Sequence, residues 1–491
     1  MLAALRQTDR VPDEAALVSR ARHLLVVLPP GKSLEGPGAA TLRSLLARRK
    51  LAPEELSKTP VAATLPGGAL CAWARLDPAS TAFERGTVLR KALAPLLEES
   101  PRELALVLLG PENVRHRTAP EAAYAAWVNA THMPSRKKKD HAVPLASLRV
   151  FGSGADLGEA RALAEANVLC RELTSLPPNE LYPRSYRARL RALARANRLG
   201  IAEYDLARLR RMGAGAFVAV AQGSPEPDAA IVRLRYAPRG ARRSVALVGK
   251  GICFDTGGHN LKPAKYMAGM HHDMNGSAVA LGILCAGARL RLPIAIDAWL
   301  ALAQNHIGPK AYRQNEVVTA LNGTTIEVVH TDAEGRMVLA DALALAARAE
   351  PDVIVDFATL TGSMVYALGN RYSGVFANRA KLAQLALAAG EASGERVCAF
   401  PLDEDYDAAL ESKVADIKQC TLEGEADHIL AARFLTRFIA DRPWLHLDIA
   451  AATCSGGLGA VGTELTGFGV AWGTELLRRF ARPGALERLG K

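Results

Sequence analysis

The chain is poor in cysteine and in aromatic residues, with seven cysteines and 5% Phe, Trp and Tyr in 491 residues. The cysteines are odd in number, scattered from Cys71 to Cys454 and without a Cys-x-x-Cys pair. That excludes a disulfide framework and a zinc-ribbon spacing and points to reduced thiols, most of them in the core. Long hydrophobic runs are also lacking. No stretch approaches the ~20 apolar residues of a membrane span, and the first twenty residues, with Arg6, Asp9, Arg10, Asp13 and Glu14, have no signal-peptide core. The expectation is a soluble cytoplasmic protein with no membrane contact. Neither His-Glu-x-x-His nor Gly-x-Ser-x-Gly occurs, so histidine-zinc peptidases and serine hydrolases have no motif here.

What is present has globular proportions, 49% hydrophobic and 23% charged residues, which argues against collagen, coiled coil and disorder. The length is about three times that of a ~150-residue domain, so two or more domains are expected. The formal charge is +11; residues 1–150 hold 22 Lys and Arg against 14 Asp and Glu, so +8 of it lies there. Such an excess favours encounter with polyanions and says nothing about fold.

Apolar runs at Leu24–Leu28 and Leu104–Leu109 alternate with helical patterns at Leu42–Lys50 and Ala122–Ala130, as in an α/β unit, giving a first domain over 1–150. The basic run Arg136–Lys139 reads as a solvated loop. An amphipathic helix from Asp156 to Thr174 is stopped by Pro177 and Pro178 and serves as a connecting element over 151–174. Beyond it, strand-like Val245–Val248, Ile294–Ala301 and Val353–Phe357 alternate with helical Ser277–Leu290 and Met337–Ala349. The expected fold class is α/β in two domains, each a mixed sheet flanked by helices, the second (175–491) doubly wound. Gly457-Leu-Gly-Ala-Val-Gly462 has the letters of a dinucleotide fingerprint, but no acidic residue closes a βαβ unit after it, and it reads as a turn.

Chemistry concentrates in two segments. The first runs Gly249-Lys250-Gly-Ile-Cys-Phe-Asp255-Thr-Gly-Gly-His-Asn-Leu-Lys262 and continues through Met270-His-His-Asp273. It begins where a buried strand ends, the place where ligands bind in open α/β sheets. Asp273 taken alone reads as the N-cap of the helix that follows. The second segment is Thr331-Asp332-Ala-Glu334-Gly-Arg336. On an extended backbone Asp332, Glu334 and Arg336 share one side, either as a surface ladder or as converging carboxylates. Together the segments supply four carboxylates and two lysines, a poor core and a good oxygen-rich site for two divalent cations. Lys250 suits such a site only as a neutral amine, which an adjacent metal ion can maintain.

These residues closely resemble the leucyl aminopeptidase (cytosol aminopeptidase) family of dinuclear metallopeptidases. The likeness rests on the 331–336 and 249–255 segments, Leu176-Pro-Pro-Asn179, Gly213–Ser224, Phe357–Gly362 and His446-Leu-Asp-Ile-Ala450, and runs from about residue 155 to 480. It implies one metal ion, zinc or manganese, on Asp255, Asp332 and Glu334, and a second on Lys250, Asp255, Asp273 and Glu334. It further implies Lys262 as the group polarising the scissile carbonyl and Arg336 as the anchor of a bicarbonate acting as general base. Met270, Thr359, Gly362 and Ala450 fall on positions lining the pocket for the N-terminal side chain. The implied reaction is removal of the N-terminal residue, of Leu or Met type, from peptides with a free N-terminus by a hydroxide bound to two metals, in a homohexamer. The chain departs from the family at His259, His271, His272, His330, Asp427-His428 and the loop Gly457–Thr463. The imidazoles read as neighbours of the metal ligands or solvent-facing groups rather than ligands. Alternatives are an added DNA-binding or regulatory role for the basic first domain and a structural hexamer of low activity.

Overall fold

A computed structural model describes residues 2–138, 143–484 and 486. Arg136, Lys137 and Lys138 are exposed and outside any helix or strand, as a solvated run requires, while Lys139 lies outside the described residues.

The chain forms two compact units, the first comprising 1–168, 391–395 and 453–466 and the second 169–390, 396–452 and 467–491. The division falls inside helix Gly158–Ser175. The first unit holds a six-stranded sheet in the order Ala4–Thr8, Ser147–Phe151, Glu103–Leu108, His23–Leu28, Leu70–Arg75, Val61–Thr64. Every pair is parallel except the last. Near-continuous apolar runs such as His23-Leu-Leu-Val-Val-Leu28 are what a parallel sheet covered on both faces demands. Alternate residues go to separate cores: Leu25 and Val27 to one, Leu24, Val26 and Leu28 to the other. Gly457–Gly462 forms a tight turn closed by reciprocal bonds between Leu458 and Val461, as the sequence suggested.

The second unit is built on an eight-stranded mixed sheet ordered Val397–Ala399, Ser373–Ala377, Trp444–Asp448, Val353–Ala358, Ser244–Asp255, Ala295–Asn305, Ala230–Tyr236, Gly200–Asp205. Its four central strands, from Trp444–Asp448 to Ala295–Asn305, are parallel. Ala246, Val248 and Ile354 join the core beneath helix Glu334–Arg348. On the other face Phe357 meets Trp472 edge to face, and helix Asn275–Arg289 packs with helix Val470–Phe480. Helices on both faces of parallel strands make this a doubly wound sheet, whose carboxyl-terminal edge is the expected ligand site.

Candidate metal centre

Lys250 and Asp255 lie on the same strand five residues apart, a spacing that in a regular strand turns side chains to opposite faces. The strand is not regular. Its pairing with Ala295–Asn305 shifts between Ala303, opposite Ile252, and Asn305, opposite Asp255, so three steps on one strand face two on the other. This extra residue restores a common side, and both side chains reach the same carboxylate cluster. Past the strand end the backbone turns at Gly257 (φ +86°) and Gly258 (φ +64°); a side chain at Gly257 would strike the Asn260 carbonyl at 2.4 Å.

Asp273 does not cap the following helix. The N-cap of Asn275–Arg289 is Met274, and Asp273 sits in a 3₁₀ turn, Met270–Met274, with its carboxylate on Lys250. The segment Thr331–Arg336 also differs from the extended backbone expected of it. Helix Glu334–Arg348 begins at the second carboxylate, so Asp332 comes from the preceding turn while Glu334 and Arg336 belong to the first helical turn. Gly335 within that turn admits Lys250: a Cβ there would lie 2.7 Å from its Nζ.

The result is a compact acidic cluster. Oxygens of Asp255, Asp273 and Glu334, all buried, lie within 4.8 Å of one another. Lys250 Nζ is 2.8 Å from Asp273 Oδ1 and 2.9 Å from Glu334 Oε1, and donates to the Thr359 carbonyl at 3.1 Å. Lys262 Nζ lies 2.9 Å from Asp255 Oδ2 and 2.5 Å from Asp332 Oδ1. Burial opposes the charge on Lys250, but Asp273, Glu334 and Asp255 outweigh it and raise its pKa. Lys262 is raised in the same way by Asp255, Glu334 and Asp332 against its own desolvation. Asp273 and Asp332 are pushed above the usual carboxylate range, chiefly by burial and then by neighbouring carboxylates, against the pull of the lysines.

Four carboxylates face two lysines here, leaving a surplus of negative charge in a buried place. Asp273 Oδ2 and Glu334 Oε2 are buried and accept no hydrogen bond. Buried oxygens left without donors are costly unless a cation takes them, so this donor set fits divalent metal ions.

The surrounding residues fix the donors. Asn305 is fully buried and donates to Asp255 Oδ1 at 2.8 Å and to the Thr331 carbonyl at 3.0 Å. Thr359 Oγ1 donates to Asp273 Oδ1 at 2.8 Å. Asp448 holds the Thr359 loop by accepting from the Leu360 amide at 3.0 Å and from Thr361 Oγ1 at 2.6 Å. Of the expected pocket residues, Thr359 is thus tied to the cluster. Met270 opens the turn carrying Asp273, Gly362 starts helix Gly362–Leu368, and Ala450 follows strand Trp444–Asp448. Among the described residues the metal-competent group contains no histidine. His259 Nδ1 donates to the Tyr312 carbonyl, His330 Nδ1 accepts the Asp332 amide at 3.2 Å, and the His271 and His272 rings stack edge to face.

A doubly wound α/β protein with a buried carboxylate and lysine cluster at its strand ends is, by fold and site, a candidate metalloenzyme. Residues 168–472 match the catalytic domain of the cytosol aminopeptidase family. The chain is 40% identical over 353 residues to a probable cytosol aminopeptidase of Methylorubrum extorquens, covering 71% of this chain and 70% of that one. It is 42% identical over 336 residues to one from Syntrophotalea carbinolica, covering 67% and 66%. Among solved structures it resembles the bottromycin maturation enzyme BotP in complex with Mn (TM-score 0.82, 33% identity, 94% of this chain and 100% of that one). The chain belongs to the cytosol aminopeptidase family and is a metallo-aminopeptidase.

Proposed function

We propose that the protein removes the N-terminal residue from peptides at a centre of two divalent cations, zinc or manganese. Asp255, Asp332 and Glu334 would hold one, and Lys250, Asp255, Asp273 and Glu334 the other, with Asp255 and Glu334 shared. The observation that carries this reading is the buried convergence of Asp255, Asp273 and Glu334 with two donor-less oxygens. When bound, such ions supply Lewis-acid polarisation of the carbonyl and a water acidic enough to act near neutral pH. Lys250 would join the donors by giving up one of the ammonium protons it now directs at Asp273, Glu334 and the Thr359 carbonyl. Lys262, partly exposed and raised in pKa by its carboxylate neighbours, would stabilise negative charge developing on the scissile carbonyl oxygen.

Met270, Thr359, Gly362 and Ala450 would border the N-terminal side chain, and their apolar or small character suits Leu and Met. A pocket of this type separates substrates differing by one methylene by only ~1–3 kcal/mol, so specificity is broad. The same reading takes the protein as a cytoplasmic homohexamer with residues 1–150 as N-terminal domain, 151–174 as the connection and 175–491 as the catalytic domain, save that segments 391–395 and 453–466 fall in the first compact unit. Neither the DNA-binding nor the structural alternative draws support from the similar proteins.

Bicarbonate fits less well. Arg336 is 3% exposed, its Nη1 donates to the Gln419 carbonyl at 2.9 Å and its Nη2 to Asp427 Oδ1 at 2.7 Å. Its charge is already neutralised from within the chain, so no step is assigned to an exogenous anion.

Leu-p-nitroanilide should be hydrolysed after loading with Mn or Zn and not after chelation; turnover by rigorously metal-free protein would refute the reading. Asp332→Asn is expected to lose metal and activity together. Lys262→Ala should keep its metal while kcat falls by roughly 10²–10³.

A further inference from the structure

Thr359 touches both of the donors that the proposed function gives to one metal ion and not to the other. Its carbonyl accepts from Lys250 Nζ at 3.1 Å, and its hydroxyl donates to Asp273 Oδ1 at 2.8 Å. Lys250 Nζ lies 2.8 Å from the same Oδ1. Both donors therefore sit on one oxygen of Asp273, and the second, Oδ2, is left buried without any. A carboxylate fixed in this way offers a chosen oxygen to a cation.

What fixes Thr359 is a carboxylate outside the cluster. Strand Val353–Ala358 ends one residue before it, and the neighbouring strand Trp444–Asp448 ends level with that point, Asp448 opposite Ala358. Asp448 is 1% exposed and takes three hydrogen bonds from the two residues after Thr359. They come from the Leu360 amide at 3.0 Å, the Thr361 amide at 3.4 Å and Thr361 Oγ1 at 2.6 Å. Thr361 Oγ1 also accepts the Met364 amide at 3.3 Å, so the same latch ties down the start of helix Gly362–Leu368. The base of the latch is rigid. Two residues earlier on its strand, the His446 ring stacks on Trp444 and Phe376, and its Nδ1 lies 2.5 Å from Asp356 Oδ1 on the adjacent strand.

The other metal position is supported from elsewhere. The Asp332 amide donates to His330 Nδ1; beside it, the Thr331 carbonyl accepts from Asn305 and Tyr312, and the Thr331 hydroxyl donates to the Gly257 carbonyl. Among the described residues no hydrogen bond joins 359–361 to Asp255, Asp332 or Glu334. The two positions would share Asp255 and Glu334 yet rest on separate scaffolds.

We propose that Asp448 is a positioning residue for one ion of the pair: by latching 359–361 it sets Thr359, and through Thr359 it orients Lys250 and Asp273 while leaving Asp332 untouched. The inference rests on the two-metal reading and assigns the occupancy of one position to a carboxylate outside the donor set. A tie that served the fold alone would weaken both positions or neither.

The test uses Asp448→Ala, which removes all three acceptors, and Asp448→Asn, which keeps an oxygen for the two amides. Wild type dialysed against Mn should hold two ions per chain. In Asp448→Ala one of them should need about 10–100 times more Mn while the other keeps its affinity, with Asp448→Asn between. Anomalous scattering from Mn-soaked crystals should show the ion beside Asp332 retained and the one beside Lys250 and Asp273 depleted. Turnover of Leu-p-nitroanilide at low Mn should fall with that occupancy and return when excess Mn refills it, which a damaged fold would not allow. Equal weakening of both ions, unchanged binding of both, or loss at the Asp332 position instead would overturn the proposal. If Asp448→Ala does not fold, Thr361→Val carries the test. It removes the shortest bond of the latch at similar volume and should weaken the same ion by a smaller factor; unaltered binding would overturn the proposal equally. Wild type that binds fewer than two Mn ions would instead defeat the two-metal reading itself.

Discussion

Asn305 joins the two acidic segments through one amide: its Nδ2 bonds Asp255 on one side and the Thr331 carbonyl on the other. Groups that orient metal ligands in this way typically contribute ~10–100-fold to affinity. Asn305→Leu removes both bonds while keeping a similar volume, so Mn affinity measured by competition with a fluorescent chelator should fall by about that factor. Unchanged affinity would show that the loops hold each other through Thr331 Oγ1, Asn260 and Gly257 alone. Asp255, Asp332 and Glu334 stand out in sequence because carboxylates near glycine at a strand end make no sense as core. Asn305 does not, because an asparagine closing a strand reads as the start of a turn. Asp427 is legible only as an unusual residue; that it meets Arg336, 91 positions earlier, is a long-range fact no local pattern carries.

At the scale of elements, apolar runs and helical periodicity locate part of each sheet and its helices, with His23–Leu28, Glu103–Leu108, Val353–Ala358 and Asn275–Arg289 found within a few residues, while strands such as Ala4–Thr8, Leu70–Arg75 and Ala230–Tyr236 are not read. The bends between them stay hidden. The bulge that brings Lys250 and Asp255 to one side is invisible because Gly-Ile-Cys-Phe continues the strand pattern without a break. The extended backbone expected at Thr331–Arg336 fails because Glu334 and Gly335 enter a buried helix whose face is set by packing, not by alternation. Close packing also explains Gly276 near the start of helix Asn275–Arg289. A Cβ there would lie 2.1 Å from the Phe357 carbonyl oxygen, a backbone atom with no room to yield. Gly276→Ala should therefore push the helix off strand Val353–Ala358, costing about 1–3 kcal/mol of stability in urea titration. Because Asp273 lies in the turn leading into that helix, Mn affinity should weaken along with stability. A variant as stable as wild type would mean that the helix slides without loss.

Across the whole molecule, every proposed metal donor lies in the second unit, and the cores of the first contain none of them. A ligand that binds only the folded state stabilises it by mass action, by about 2.7 kcal/mol at a hundred times its dissociation constant. For a unit of this size each kcal/mol raises the midpoint by roughly 2–4 °C, so saturating Mn should lift one calorimetric transition by about 5–10 °C. The stabilisation should be confined to the unit that binds. Hydrogen exchange locates it: amides of Ser244–Asp255 and Asn275–Arg289 should slow on adding Mn, while those of His23–Leu28 and Glu103–Leu108 keep their rates. Equal slowing in both sheets would show that the two units unfold as one cooperative body and that the acidic surplus at Lys250 and Lys262 is felt throughout the chain. Slowing in neither would mean that the cluster is satisfied by its own lysines and takes up no ion, and the metal assignment would fall with it.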